Sequence, residues 1–118
     1  MNTPEAPASA AEEELELAAM RAVAESPAAS QRNLALKLGI SLGKTNFLLR
    51  ALLEKGLVKS ENFRRSDNKL AYLYLLTPSG VRTKARMTRD YLQRKELEYA
   101  SLRAEITALR HEVGDDTP

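Results

Sequence analysis

Apolar positions recur at helical spacing along most of the chain and give way to strand-like runs over one short stretch. From about Glu12 to Glu25 they follow one face of a helix, and acidic residues occupy its first turn, where the helix dipole favours them. The apolar stripe of this helix consists of Leu15, Ala18, Ala19, Ala22 and Val23. Ser26-Pro27 then breaks the pattern, because proline cannot continue a helix. The first predicted element is therefore an amphipathic helix.

Two further helices are predicted on either side of a three-residue turn. Ser30 is a suitable N-cap for a short helix, and Gly39 fits the C-terminal stop of that helix. After Gly39-Ile40-Ser41 a second helix begins, which Ser41 can cap and Gly56 ends. The expected apolar positions are Leu34, Leu36 and Leu38 in the first helix and Leu48, Leu49, Leu52 and Leu53 in the second. Two helices joined by so tight a turn form a helix-turn-helix.

The hydrophobic period changes after this motif. Residues 57–63 and 70–76 are rich in strand formers, and the basic, polar run between them suits the tip of a hairpin. Thr77-Pro78 then opens a last helix, which nothing obvious breaks before Gly114. The predicted fold class is mainly α with a small β-hairpin. It is a winged helix-turn-helix followed by a long C-terminal dimerisation helix.

These signals divide the chain into four segments. Residues 1–11 form a flexible tail rich in proline, alanine and serine, and residues 12–80 form the winged helix-turn-helix domain. Residues 81–113 form the long helix, and residues 114–118 form a frayed tail.

The distribution of charge changes this picture more than its total does. The 118 residues have a net charge of only +2, but residues 31–95 alone carry +11, between an acidic start of −5 and an acidic end of −4. A basic segment of this strength indicates a polyanionic partner. The alternative is a charged surface that simply faces solvent.

The second helix of a helix-turn-helix enters the major groove of DNA with its N-terminal part leading. With its leucines turned inward, that helix directs another set of residues outward. Lysine and arginine can contact phosphates or guanine, asparagine suits adenine, and phenylalanine suits a thymine methyl group. Glycine allows close approach of the backbone to a phosphate. The expected DNA-binding residues of this helix are Ser41, Gly43, Lys44, Asn46, Phe47 and Arg50. For Phe47, packing into the core remains an alternative.

Two other segments are expected to contact DNA. The free N–H groups at the beginning of the preceding helix suit a phosphate, and the residues there are Ser30, Gln31 and Arg32. Three basic residues of the wing, Arg64, Arg65 and Lys69, suit the minor groove or the adjacent backbone. The alternatives are simple capping by Ser30 and a hairpin tip exposed to solvent.

The long helix has coiled-coil spacing. Its expected dimerisation residues are Leu92, Tyr99, Leu102, Ile106, Leu109 and Val113, although Thr88 and Lys95 weaken the seam at its beginning. In a parallel pair the flanking positions bring Glu98 beside Arg103 and Glu105 beside Arg110, whereas an antiparallel pair opposes like charges. The pattern therefore favours a parallel homodimer. The alternative is a helix that folds back on its own domain.

Other classes of function fit the sequence less well. There is no cysteine, and the single histidine, His111, falls at an outward heptad position. No glycine-rich phosphate loop and no cluster of metal ligands is evident, so we expect no catalytic residues, metal or cofactor. No apolar stretch is long enough to span a membrane, and the acidic N-terminus is unlike a signal peptide, so a cytoplasmic protein is expected.

Two competing functions stay open at this point. One is a winged helix that serves as a protein-interaction module, with the coil as its binding surface. The other is binding of RNA, although four Tyr and two Phe are few for the aromatic platforms that RNA-binding modules use.

Several strings resemble the winged helix of MarR-type transcriptional regulators, over about residues 12–113. They include Gly39-Ile40-Ser41, the LLEKGLV run of residues 52–58 and the wing. Residues 41–44 (SLGK), 61–69 (ENFRRSDNK) and 72–78 (YLYLLTP) resemble the small exopolysaccharide-associated subgroup of that family. The resemblance implies a regulator of polysaccharide biosynthesis genes that binds double-stranded DNA, and it leaves open whether an effector binds.

Together these observations predict a sequence-specific DNA-binding regulator that acts as a homodimer. A two-fold dimer matches a palindromic operator with half-sites about one DNA turn apart, roughly 34 Å.

Overall fold

The computed structural model describes residues 10–64, 67 and 70–115. Within these residues the chain forms four helices and one antiparallel hairpin, so the predicted mainly helical winged helix-turn-helix with a long C-terminal helix is confirmed. The elements in chain order are α1 (Ala10–Glu25), α2 (Gln31–Leu38), α3 (Leu42–Glu54), β1 (Val58–Arg64), β2 (Leu70–Leu76) and α4 (Pro78–Glu112). Helix α1 begins two residues before its predicted start, and most of the predicted N-terminal tail lies outside the described residues.

The chain divides into two compact units within α4. The first extends to Arg86 and contains α1, α2, α3, the hairpin and the beginning of α4. The second begins at Met87 and contains the remainder of α4.

A short irregular segment turns the chain from α1 into α2. Ala28 adopts a positive φ of 65°, and the next residue, Ala29, forms an isolated bridge with Tyr74 of β2. The Tyr74 N–H donates to the carbonyl oxygen of Ala29 at 3.3 Å. Lys37 of α2 pairs with Glu25 of α1 at 3.0 Å, and this hydrogen bond, together with the lysine charge, lowers the pKa of Glu25. The connection is thereby tied to both the hairpin and α2.

The turn between α2 and α3 forms as its residue types predict. Gly39 has a φ of 69°, a left-handed conformation that glycine adopts without steric cost. Its N–H donates to the carbonyl oxygens of Ala35 and Leu36, which ends α2. Ser30 and Ser41 cap α2 and α3, because each hydroxyl oxygen accepts from the backbone N–H three residues later, at 3.2 and 3.1 Å.

The core of the first unit lies where α1, α2, α3 and β2 meet. Buried side chains of α1, α2 and α3 form one cluster, against which Leu38, Tyr74 and Leu76 pack. The members of that cluster are Ala22, Val23, Ala29, Leu34 and Leu49. Met20 and Leu52 are also fully buried.

Two details of the predicted core are wrong. In α1 the deeply buried residues include Leu17 and Met20, whereas Leu15 and Ala18 are only half-buried. In α2 Leu36 is 76% exposed, although Leu34 is buried. Residues two apart in a helix point about 200° away from each other, so Leu34 and Leu36 cannot both face the core.

The wing is a two-stranded hairpin in which Val58 pairs with Leu76 and Arg64 with Leu70. Each strand matches its predicted range to within one residue. Tyr74 is half-buried on β2, and burial raises the pKa of its phenol. Of the residues at the tip between the strands, only Asp67 is described.

The beginning of α4 is fastened to the segment that follows α3. The Thr77 hydroxyl donates to the carbonyl oxygen of Gly56 at 2.6 Å and accepts from the Gly80 N–H at 2.9 Å. The Thr77 N–H donates to the carbonyl oxygen of Leu57 at 3.1 Å. Gly80 is buried directly against Leu57, and a Cβ atom built on Gly80 would lie 1.9 Å from that same oxygen. Only glycine fits this contact.

Beyond Gly80, the described part of α4 contains no buried residue. The large apolar side chains from Leu92 to Val113, the residue after α4, are 39–79% exposed, and they include all six predicted dimerisation residues: Leu92, Tyr99, Leu102, Ile106, Leu109 and Val113. Lys95, which interrupts this seam, pairs with Glu98 at 3.1 Å. Across the described residues, no helix has the length and apolar character needed to cross a bilayer.

We expect Gly80→Ala to destabilise the first unit by about 1–3 kcal/mol, because the added methyl group must displace the Leu57 carbonyl and its hydrogen bond to Thr77. Urea unfolding followed by far-UV circular dichroism measures this free energy.

Gly43→Ala is the matched control. Gly43 is also a helical glycine, but a Cβ atom there meets nothing within 4 Å. Alanine should leave the free energy of unfolding unchanged or raise it by up to about 1 kcal/mol through helix propensity. Equal stability losses in the two variants would contradict the close contact at Gly80.

Candidate nucleic-acid interface

Helix α3 has one buried face and one face open to solvent. Thr45, Leu48, Leu49 and Leu52 form the buried face. Thr45 is a polar residue with no exposure, and its hydroxyl is satisfied because it donates to the carbonyl oxygen of Ser41 at 2.9 Å. The exposed residues of the opposite face include Gly43, Lys44, Phe47 and Arg50, with Glu54 on the same face at the end of the helix. The first four are among the six residues that the sequence predicts for DNA contact by this helix.

Phe47 lies outside the core. Its side chain is 73% exposed, so the alternative of core packing is wrong. A large aromatic side chain with this exposure is costly to hydrate unless a partner covers it. Its position beside Lys44 and Arg50 combines an apolar surface with two cationic groups.

A shallow groove of about 410 Å³ separates the beginning of α1 from the flank of α3. Its apolar lining comes from both helices, and three charged residues surround it. The residues that line it are Ala11, Glu12, Leu15, Glu16, Lys44, Phe47, Leu48 and Ala51. Glu16 pairs with Lys55 at 2.7 Å, which compensates its charge next to the basic face of α3.

Gln31 and Asn46, both predicted to contact DNA, are bonded to each other. The Asn46 side-chain amide donates to the Gln31 Oε1 at 3.0 Å, and the Gln31 Nε2 donates to the carbonyl oxygen of Leu42 at 3.4 Å. Both residues are half-buried. The structure thus links the first turn of α2 to the first turns of α3. The sequence does not predict this link, because the two residues are 15 positions apart. Its one signal is that both amides fall in the opening turns of consecutive helices.

The remaining predicted residues of α2 lie at its N-terminus. The Ser30 hydroxyl oxygen accepts from the Asn33 N–H, so capping accounts for it in this structure. Arg32 is exposed and has no ion pair within the part of the chain that the structure describes. Its guanidinium is available to a ligand.

The basic residues of the wing are only partly described. Arg64 is the last residue of β1, at the tip end of the hairpin. Arg65 and Lys69 lie outside the described residues. The structure therefore brings together the residues of α2 and α3, and the contribution of the wing rests on the sequence.

The described residues contain no group of three or more histidine, aspartate or glutamate side chains that could hold a metal ion. The chemistry that the surface offers is hydrogen bonding, cationic charge and apolar contact.

Comparison with known protein families gives a match to part of the chain. Residues 12–59 match the family described as winged helix-turn-helix DNA-binding. No curated protein matches the chain by sequence.

Solved structures share the fold at low sequence identity. The transcriptional regulator PcaV from Streptomyces coelicolor is 20% identical with a TM-score of 0.64, over 85% of this chain and 72% of PcaV. MarR from Staphylococcus aureus is 18% identical with a TM-score of 0.58, over 83% of this chain and 70% of that protein. A PadR-like transcriptional regulator from Bacillus cereus is 16% identical with a TM-score of 0.69, over 75% of this chain and 90% of that protein.

The helix-turn-helix, the hairpin and these matches agree with one another. Residues 12–59 match the winged helix-turn-helix DNA-binding family, and the fold is similar to that of solved transcriptional regulators, among them MarR from Staphylococcus aureus.

Proposed function

We propose that this protein is a transcriptional regulator that binds double-stranded DNA sequence-specifically as a homodimer. The observation that carries the proposal is the exposed face of α3, where Lys44, Phe47 and Arg50 lie together on the second helix of a helix-turn-helix. Phosphate contacts would position the domain, and side chains that reach base edges would select the sequence.

The charge distribution supports a polyanionic partner for this face. The segment of residues 31–95 contains α2, α3 and the wing and carries a charge of +11, although the whole chain carries +2. Arg32 at the beginning of α2 and Lys44 near the beginning of α3 lie at helix N-termini, where backbone N–H groups also favour phosphate.

The exposed apolar seam of α4 supports the homodimer. Six apolar side chains at heptad positions face solvent in the single chain, and a second copy would bury them. The flanking charges favour a parallel arrangement, in which Glu98 and Glu105 of one copy approach Arg103 and Arg110 of the other. Such a dimer has a two-fold axis and fits a palindromic operator.

The identity of the regulated genes rests on the resemblance of residues 61–69 and 72–78 to the exopolysaccharide-associated subgroup. We propose polysaccharide biosynthesis genes as targets. Genomic fragments captured by the protein should be enriched in the promoters of such genes, and enrichment of unrelated promoters would refute this assignment.

We expect binding to duplex DNA to weaken steeply with salt. If six to ten phosphates are contacted, the logarithm of the association constant should fall with the logarithm of salt concentration with a slope of magnitude about 5 to 9. Selection from a random duplex pool should return a palindrome. A flat salt response would instead favour the protein-interaction alternative, and enrichment of single-stranded RNA over duplex DNA would favour the RNA alternative.

Lys44→Ala and Arg50→Ala should each lower DNA affinity without changing the free energy of unfolding, because both side chains are exposed. A lost phosphate contact also reduces the salt slope by about one. Arg64→Ala tests the contribution of the wing, and it should also lower DNA affinity and the salt slope. Fluorescence anisotropy with a labelled operator measures affinity and slope.

Lys37→Ala is the charge-matched control. Lys37 lies in the last turn of α2, at the end away from Arg32, and pairs with Glu25 of α1. This variant removes the same charge and should change affinity much less. If Lys37→Ala and Lys44→Ala weaken binding equally, the face of α3 has no special role.

Reversal of the charge at both glutamates, Glu98→Arg with Glu105→Arg, should weaken the dimer. A parallel dimer contains four such exposed pairs, worth together about 2 kcal/mol, which corresponds to about thirtyfold in the dissociation constant. Addition of Arg103→Glu and Arg110→Glu should restore the dimer. Sedimentation equilibrium measures both changes, and a monomeric mass for the unmodified protein at micromolar concentration would contradict the homodimer.

A further inference from the structure

Two side-chain amides of the helix-turn-helix form a relay that ends on a backbone oxygen. The Asn46 Nδ2 donates to the Gln31 Oε1 at 3.0 Å, and the Gln31 Nε2 donates to the Leu42 carbonyl oxygen at 3.4 Å. The first bond has ordinary length, whereas the second exceeds the usual N–H···O distance of about 2.7–3.2 Å and is the weaker of the two. Both amides are half-buried between α2 and α3.

The backbone oxygen determines the direction of every bond in this relay. A carbonyl oxygen can only accept, so Gln31 must direct its NH₂ group toward Leu42 and its oxygen toward Asn46. An oxygen in that position can likewise only accept, so Asn46 must direct its NH₂ group toward Gln31. An isolated amide can rotate by 180° and exchange its donor and acceptor ends, whereas this relay favours one of the two orientations.

The orientation leaves a defined hydrogen-bonding edge on Asn46. Its Oδ1 and its second N–H have no partner within the part of the chain that the structure describes. No fully buried side-chain nitrogen or oxygen there lacks a partner, so the Asn46 Oδ1 is not fully buried. In the major groove the Asn46 Oδ1 can accept from the N6 amino group of adenine, while the second N–H donates to N7. The reversed orientation would oppose donor to donor and acceptor to acceptor.

We infer that Gln31 is a positioning residue that makes Asn46 selective for adenine. Gln31 acts through Asn46 and the Leu42 carbonyl rather than by the direct DNA contact that its place in the sequence suggests. The inference rests on the proposed function, because selectivity has meaning only if α3 enters a DNA groove. The role inferred for Gln31 is to set the base preference of Asn46, whereas the proposed role of Lys44 and Arg50 is to raise the affinity for DNA.

Replacement of Gln31 by methionine tests the relay, since methionine has similar length and cannot form either hydrogen bond. The full-length protein is used with an operator obtained by duplex selection. Affinities are then measured for the operator and for duplexes with each base pair replaced in turn. The unmodified protein should prefer adenine by about tenfold at one position of each half-site. In Gln31→Met that preference should fall to within about twofold, and preferences at the other positions and the salt slope should remain.

Two further variants define the comparison. Gln31→Glu cannot donate to the Leu42 oxygen, but it still offers Asn46 an oxygen that can only accept, so it should keep Asn46 in the same orientation and retain the preference for adenine. Asn33→Ala is the control, because Asn33 is an exposed residue of the same helix whose side chain is outside the relay. It should retain the full preference for adenine.

The outcomes separate the relay from the proposed function. A merely structural role for Gln31 would weaken binding to all duplexes in proportion and leave the order of base preferences unchanged, which would overturn the relay. Unchanged binding and preferences in Gln31→Met would overturn it as well. Failure of the unmodified protein to bind any duplex would overturn the proposed function itself, together with the selectivity assigned to Asn46.

Discussion

The burial of one face of α3 determines what every other residue of that helix can do. Leu48, Leu49 and Leu52 pack into the core, and Thr45 joins them because its hydroxyl is satisfied by the Ser41 carbonyl. These four residues are spaced to match the 3.6 residues of each helical turn, so they share one face. The other residues of α3 are therefore directed to solvent or to the flanks. The cationic and aromatic surface of α3 is therefore a consequence of packing. A mutation that rotates this helix would disturb the core and the interface together.

The turn before α3 transmits this constraint to α2. Gly39 ends α2 in a left-handed conformation, and Ser41 caps α3 two residues later. So short a connection holds the first turns of both helices close together, and the bond between Gln31 and Asn46 spans the gap. Two features that are local in sequence, a glycine stop and a serine cap, thus create a contact between residues 15 positions apart.

Features that depend on neighbouring residues could be predicted from the sequence, whereas contacts between distant residues could not. The caps at Ser30 and Ser41, the stop at Gly39 and the strands of the wing depend on neighbouring residues, and each was found within one or two residues of its predicted place. The order of elements therefore followed from the sequence. So did the exposure of Gly43, Lys44, Phe47 and Arg50, because the leucines of α3 are spaced regularly enough to identify the inner face, whereas Asn46 is half-buried.

The errors have a common cause. Helix α2 has eight residues and three leucines at alternate positions, so its sequence alone does not tell which side is buried; β2 and α3 decide this, and Leu36 remains outside. The need for glycine at position 80 was likewise invisible, because it depends on the carbonyl oxygen of a residue 23 positions earlier. The amide relay escaped prediction for the same reason.

The charge pattern gains a physical interpretation from the packing of α1 on α3. The acidic start of the chain includes Glu12 and Glu16, which line the same groove as Lys44. Acidic groups beside a DNA-binding helix would oppose binding if their charge were uncompensated. Glu16 is only 16% exposed and bonds to Lys55 at the C-terminal end of α3, so its charge is largely compensated within the domain. The charge of Glu16 is thus offset within the domain, and a net charge of +2 coexists with exposed cationic groups at Lys44 and Arg50.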